Sequence, residues 1–235
     1  MQENRVEIGV FIQQAAAVAK LPGIVLATGR WAGTIRRKAQ RRKLLVMNTL
    51  FPTEPTVPQG FFYTSGFITE SEEDQLLKAI AETELHTFNF HGYEAKRKVA
   101  SFGYDWSFES RELSKGRDIP PAFLFLVSRV AEFLKVKEEE VGELLVTEYP
   151  EGAVINWHRD APPFDIIAGI SLLADCSFRF RPYEKARQSR KSLISIPVSR
   201  RSLYVMKGES RSNWEHSISP VKHTRYSITL RTLRK

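Results

Sequence analysis

Asn156, Trp157, His158, Arg159 and Asp160 follow one another directly, so an imidazole and a carboxylate stand two residues apart. On a strand, successive side chains point to opposite faces. His158 and Asp160 then share one face, and Trp157 and Arg159 share the other. An imidazole and a carboxylate on one rigid strand are two metal ligands. A second histidine from a distant strand would complete a two-His, one-carboxylate facial set, which leaves coordination positions open and suits non-haem Fe(II). His216 is the candidate third ligand. His223 is the runner-up, because Ser219 and Pro220 leave the local register open. A His-x-Asp pair also occurs in solvated loops, so the pair alone does not decide the matter.

The C-terminal run shifts the balance. Arg225 and Arg231 are an even number of residues apart, so a strand puts both guanidiniums on one face with Ser227 and Thr229. Tyr226, Ile228 and Leu230 then form the opposite, apolar face. Inward-facing arginines are costly unless paired with anions, and a small dicarboxylate would satisfy both. The alternative is a basic edge strand in water, which leaves the apolar alternation without a purpose.

His158-Arg-Asp160, then His216, then Arg225 and Arg231 at Arg-x5-Arg spacing resemble, in that order, the AlkB family of Fe(II)- and 2-oxoglutarate-dependent dioxygenases. The segment from Tyr149 to Ala153, the block from Arg200 to Arg211, and Trp214, Glu215 and His216 extend the resemblance, which covers about residues 57–235. It implies a jelly roll (the double-stranded β-helix) with Fe(II) held by His158, Asp160 and His216, and with 2-oxoglutarate and O2 as cosubstrates. It implies that Arg225 pairs with the distal carboxylate of 2-oxoglutarate and Arg231 with the carboxylate beside the keto group. Tyr149 also falls at a 2-oxoglutarate-binding position. Thr147 and Ser227 stand where the family often has Asn, and so depart from its pattern.

Residues 97–110 correspond to the family's substrate-covering lid. There Tyr104 and Trp106 are candidates to stack on a base or reach a phosphate, with core filling the equal alternative for Trp106 and Phe108. The activity implied is oxidative dealkylation of alkylated DNA or RNA, in which a hydroxylated alkyl group leaves as an aldehyde and restores the base. The target base must be flipped out of a duplex or met in a single strand. Two features qualify the substrate. Pro162 stands where repair members often carry a second acid, and the Arg200–Arg211 block resembles the tRNA-modifying branch. Hydroxylation of a tRNA base or a protein side chain, or a catalytically silent jelly-roll nucleic-acid-binding module, are the alternatives. A zinc hydrolase would leave the arginine pair without a role.

Helices and strands around these residues can be read from local signals. Thr69 and Glu72 form a capping box before an expected helix over 70–85, with Leu76, Leu77, Ile80, Ala81 and Leu85 on its buried face. Pro120 and Pro121 open a second helix whose Phe123, Val127, Val130 and Leu134 are core. Residues 135–143 read as a charged turn. Short β-rich segments then follow at 144–149, 154–158, 166–173, 177–181, 192–198, 202–206 and 225–232. Helices first and strands afterwards indicate an α+β fold, with N-terminal helices packed outside the major sheet of a β-sandwich. Residues 181–191, with five Lys/Arg against Glu184 alone, form a projecting hairpin that is either solvated or a phosphate contact.

Composition sets the outer bounds. The 235 residues, 42% hydrophobic, suit one domain of moderate size with some extra chain. The net charge of +8 is concentrated in residues 1–46, which hold nine Lys/Arg and two acids. The remainder is close to neutral, so the charge is weak support for nucleic-acid binding by the core. A basic, flexible extension and linker over 1–59 and a catalytic domain over 60–235 are expected. A single cysteine, Cys176, excludes an internal disulfide and agrees with a reducing compartment. With no apolar run of membrane-spanning length, a cytoplasmic monomer is expected.

Overall fold

The protein is seen in a computed structural model, which describes residues 57–90, 93–107 and 109–235. The expected extension, up to residue 56, and Phe108 lie outside the described residues. In chain order the elements are β1 (Phe61–Thr64), α1 (Glu70–Ala81), β2 (His86–Phe90), β3 (Tyr93–Ser107), β4 (Glu112–Lys115), α2 (Pro121–Leu134) and β5 (Val141–Tyr149). There follow β6 (Ile155–His158), β7 (Phe164–Leu172), β8 (Cys176–Pro182), β9 (Ile194–Val198), β10 (Leu203–Met206), α3 (Glu209–Ser212), β11 (Trp214–Ile218) and β12 (Arg225–Leu233).

The first helix starts where its capping box requires. The Glu72 amide donates to Thr69 Oγ1, and the Thr69 amide donates to Glu72 Oε2. It stops at Ala81, short of the expected residue 85, because Thr83 bonds back to the last turn. Its hydroxyl donates to the Ala79 carbonyl at 2.8 Å, and its amide donates to Ile80. The second helix has proline at its first turn, where no amide is needed, and ends at Lys135 in the left-handed region. Leu76 and Ile80 of α1 and Phe123, Leu126 and Val130 of α2 are buried on the outer face of the larger sheet. Each such side chain contributes about 1.5–3 kcal/mol of burial.

That sheet runs β1-β10-β7-β12-β5-β3-β2, with β4 paired to β3; the smaller sheet runs β6-β11-β8-β9. All pairings are antiparallel, and the two sheets close on each other as a jelly roll. The expectation of helices first and strands afterwards therefore holds only in part. Four strands, β1 to β4, precede the second helix, and β11 is absent from the expected set. β1 is only four residues long, and the consecutive Lys96, Arg97 and Lys98 of β3 do not read as a half-buried strand.

β12 lies at the centre of the larger sheet, between β7 and β5. Ile228 and Leu230 join the core under the helices. Arg225, Ser227 and Thr229 are buried on the other face, where Phe61, Tyr149, Phe164, Phe178, Phe180 and Tyr204 fill the space between the sheets. One glycine shapes this interior. A Cβ on Gly169 would lie 2.2 Å from Tyr204 Cζ, so only glycine lets that ring cross β7. Among the described residues no helix is long and apolar enough to cross a membrane.

Candidate metal centre and cosubstrate pocket

His158 ends β6, and its cross-strand partner on β11 is His216. Strand pairing thus brings together two residues 58 positions apart, with ring centroids 4.2 Å from each other. Asp160 follows two residues after His158, and its Oδ2 lies 3.5 Å from His216 Nε2. One donor atom from each of the three residues falls within a 4.8 Å cluster. His223 is exposed on the β11–β12 connection and does not belong to it.

The imidazoles are prepared as ligands. The His158 Nδ1–H donates to the Asn156 carbonyl at 2.8 Å, which leaves Nε2 unprotonated. His216 stacks on Phe178 with an interplanar angle of 6°. Burial, reinforced by repulsion from His158, pushes the His216 imidazole down to about 3, so it is neutral near pH 7. Burial also lowers His158. For Asp160 burial opposes the charge, but Arg231, His216, His158 and Arg211 together hold the carboxyl well below its usual range. Asp160 Oδ2 is buried and has no hydrogen-bond partner. An orphaned carboxylate oxygen beside two neutral imidazoles is the donor set of the facial triad, and it fits Fe(II).

Arg231 secures the other oxygen of Asp160. Its Nη2 donates to Asp160 Oδ1 at 2.9 Å, and its Nη1 donates to Glu143. Ser101 also donates to Glu143. Burial works against the Arg231 charge, but Glu143 and Asp160 overcome it and raise its pKa. Glu143 corrects the reading of 135–143 as a charged turn. β5 begins at Val141, and Glu143, Thr147 and Tyr149 share its inner face. Glu143 sits opposite Arg231, Thr147 opposite Ser227, and Tyr149 opposite Arg225.

Arg225 is fully buried, unlike an arginine on an edge strand in water. Its Nε donates to Ser171 Oγ at 2.8 Å, and its guanidinium lies 4.9 Å from the centroid of the Tyr149 ring. Both Nη atoms are buried without a partner. A fork left unsatisfied in a pocket that also contains Thr147, Tyr149, Tyr204 and Ser227 fits one carboxylate of 2-oxoglutarate. Ser171 and Tyr204 reach this pocket from β7 and β10 and are not anticipated from the sequence, and neither is Glu143.

The lid candidates divide. Tyr104 is 36% exposed on the β3–β4 hairpin, while Trp106 is partly buried and packs against the core between the sheets.

Residues 60–233 match the family model described as the 2OG-Fe(II) oxygenase superfamily. A mouse protein named tRNA (carboxymethyluridine(34)-5-O)-methyltransferase ALKBH8 is 30% identical over 173 residues, covering 71% of this chain and 25% of that protein. An Arabidopsis thaliana protein named alkylated DNA repair protein ALKBH8 homolog is 27% identical over 191 residues, covering 72% of this chain and 53% of that protein. The chain thus spans between a quarter and about half of the length of these relatives. The solved structure of OsALKBH1 superposes with a TM-score of 0.58 at 14% identity, covering 77% of this chain and all of that one. The chain belongs to the 2OG-Fe(II) oxygenase superfamily, as an AlkB-type member that uses Fe(II), 2-oxoglutarate and O2.

Proposed function

We propose that this dioxygenase oxidatively dealkylates alkylated bases in DNA or RNA. His158, Asp160 and His216 hold the iron, and Arg225 receives the distal carboxylate of 2-oxoglutarate with Tyr149, Thr147 and Ser227 around it. Arg231 orients Asp160 and flanks the carboxylate beside the keto group. Bound there, Fe(II) with 2-oxoglutarate and O2 supplies the oxidant for hydroxylating a C–H bond, with succinate and CO2 as co-products. The chain's own share is positioning. It keeps both imidazoles neutral, presents one oxygen of Asp160, and closes the cosubstrate into a buried fork. Tyr104, exposed on its hairpin, meets the substrate base or its phosphate, and Trp106 supports the hairpin from beneath.

The observation that carries the cosubstrate assignment is the pair of buried, unpartnered Nη atoms of Arg225. Support for a nucleic-acid substrate comes from relatives whose names refer to tRNA and to alkylated DNA repair. A second reading, hydroxylation of a tRNA base, takes its substrate from the mouse relative, whose name refers to tRNA, and is favoured by Pro162 where a base-reading acid is often found. The protein acts as a cytoplasmic monomer in either case. The test is a panel of methylated and etheno-modified DNA and RNA oligonucleotides and tRNA, incubated with iron and 2-oxoglutarate and weighed by mass spectrometry. Loss of the adduct supports dealkylation, and gain of one oxygen on tRNA supports the second reading. Absence of succinate with every substrate overturns both and leaves a binding module.

A further inference from the structure

Behind the iron loop, residues 159–163 between β6 and β7, lies a cleft of about 410 Å³ whose lining includes Arg159, Arg211 and Arg234, with the first and last within electrostatic reach of Arg211. None of the three forms an ion pair with a carboxylate among the described residues. The acids beside them are already engaged: Asp160 is held by Arg231, and Glu215 accepts from Arg181 at 2.6 Å. Arg211 is 7% exposed. Its Nη2 donates to the carbonyls of Asp160, Ala161 and Phe164, while its Nε is buried and without a partner. Burial works against the Arg211 charge; Asp160 favours it, and Arg231, Arg234 and Arg159 oppose it. Arg159 lies 3.6 Å from the Tyr183 ring centroid and spends one Nη on the Ser212 carbonyl. Convergent like charges with an orphaned buried N–H are unfavourable without an anion.

The cleft does not end there. A second cleft, of about 290 Å³, shares Tyr183 and Glu215 with it and adds Arg181, Glu184 and Lys185, so that its two cations are balanced by two carboxylates. Beyond, on the outer face of the smaller sheet, the Trp157 ring has the guanidiniums of Arg181 and Arg179 at 4.6 and 5.1 Å from its centroid. Among the described residues the track therefore carries unpaired positive charge at its two ends, Arg159, Arg211 and Arg234 at one and Arg179 at the other, with the rings of Tyr183 and Trp157 between them. A small free anion needs one seat; a polyanion with planar groups matches a series of them.

We propose that this track seats consecutive backbone phosphates of the substrate strand flanking the target nucleotide, with Arg159, Arg211 and Arg234 as its first phosphate site. It rests on the nucleic-acid reading of the active site. Arg211 supplies one N–H to a non-bridging oxygen, Arg234 supplies an uncommitted fork, and Arg159 the remaining face of its guanidinium. A phosphodiester, with a single charge and two exposed oxygens, suits a cleft open along its length. Tyr183, 49% exposed, offers its ring to the adjoining sugar or base.

The test uses the full chain and a labelled, unmodified single-stranded oligonucleotide, so that target-base recognition plays no part. Binding is followed by anisotropy across a salt series for the wild type and for Arg159→Gln/Arg234→Gln; Arg211 is left in place because it holds the iron loop. The expected result is at least about a tenfold loss of affinity at low salt. The slope of log K against log salt should become shallower by about 0.7 for each phosphate that is no longer neutralised. Arg159→Lys/Arg234→Lys should keep the wild-type slope. If the double Gln variant fails to fold, Arg234→Gln, whose side chain bonds to nothing described, should give about half the slope change. A wild-type slope in a folded Gln variant overturns the proposal. If the wild type binds no oligonucleotide, the nucleic-acid reading itself fails. Inorganic phosphate that raises the melting temperature of the wild type but not of the double Gln variant would then identify a free-phosphate site and overturn the strand track.

Discussion

The two ends of β12 hold arginines on the same inner face, in opposite conditions. Arg231 is engaged at both Nη atoms, with Glu143 and Asp160. Arg225 donates through Nε to Ser171 and lies beside Tyr149, with both Nη atoms buried and without a hydrogen-bond partner. A buried cation held by two carboxylates is part of the folded structure, and removing it strands two anions. A buried cation with spare donors costs free energy until an anion arrives. One arginine therefore organises the site, and the other waits for a ligand.

This division of labour is tested most severely at the metal. If Asp160 gives one oxygen to Arg231 and the other to iron, His216→Ala should abolish iron-dependent succinate formation and leave the fold largely intact. His223→Ala should retain activity, since His223 is exposed and outside the cluster. The reverse outcome would exchange the third ligand and undo the division of Asp160 between arginine and metal.

Arg231→Met ranks second in severity. Leaving Glu143 and Asp160 buried without their cation should cost about 3–5 kcal/mol of stability. Urea denaturation would read this directly, and iron retention should fall with it. A Met variant as stable as the wild type would mean that Arg231, like Arg225, is held in reserve.

Arg225→Lys should act the other way. It keeps a charge but loses the fork, and a charged hydrogen bond is worth about 1.5–3 kcal/mol. The KM for 2-oxoglutarate should rise by about 10- to 100-fold, while the melting temperature stays near that of the wild type. A variant that melts far lower with an unchanged KM would show that the fork is structural.

The alternation along β12 can be read from residue types alone, because Ile228 and Leu230 demand one face and leave the arginines the other. The partners cannot. Glu143 lies four and six residues before Thr147 and Tyr149, so its face is available in principle; its place opposite Arg231 depends on the β5–β12 register, which only the folded sheet supplies. Ser171 and Tyr204 come from strands brought alongside by the order β10-β7-β12, and nothing local marks them. The jelly roll itself enters through a family resemblance, since β1 and β4 are only four residues long and β3 carries the basic run Lys96–Arg97–Lys98, which leaves too little hydrophobic period to mark them as strands. Local chemistry is visible where a strand speaks for itself and is lost where two strands must be aligned first.

The mildest substitution takes the same chemistry out of the interior. Arg129 on α2 pairs with Glu72 on α1, whose side chains are 37% and 19% exposed. Glu72 also accepts from the Thr69 amide in the capping box. The bond from Arg129, and then that from Thr69, pulls the Glu72 carboxyl down to about 2. A depressed carboxylate contributes stability that is complete above its unfolded value, near 4.5, and is lost as pH falls from there towards 2. Water competes for both partners, so Arg129→Gln should cost no more than about 1 kcal/mol near pH 7. Salt should shrink even that difference. Comparing Arg129→Gln with the wild type at pH 7 and again below pH 2 by urea denaturation isolates the pair, and the two proteins should converge as Glu72 becomes protonated in the folded state. A loss in Arg129→Gln as large as that in Arg231→Met, or a gap that persists undiminished below pH 2, would show that burial and carboxylate charge do not set the worth of these pairs.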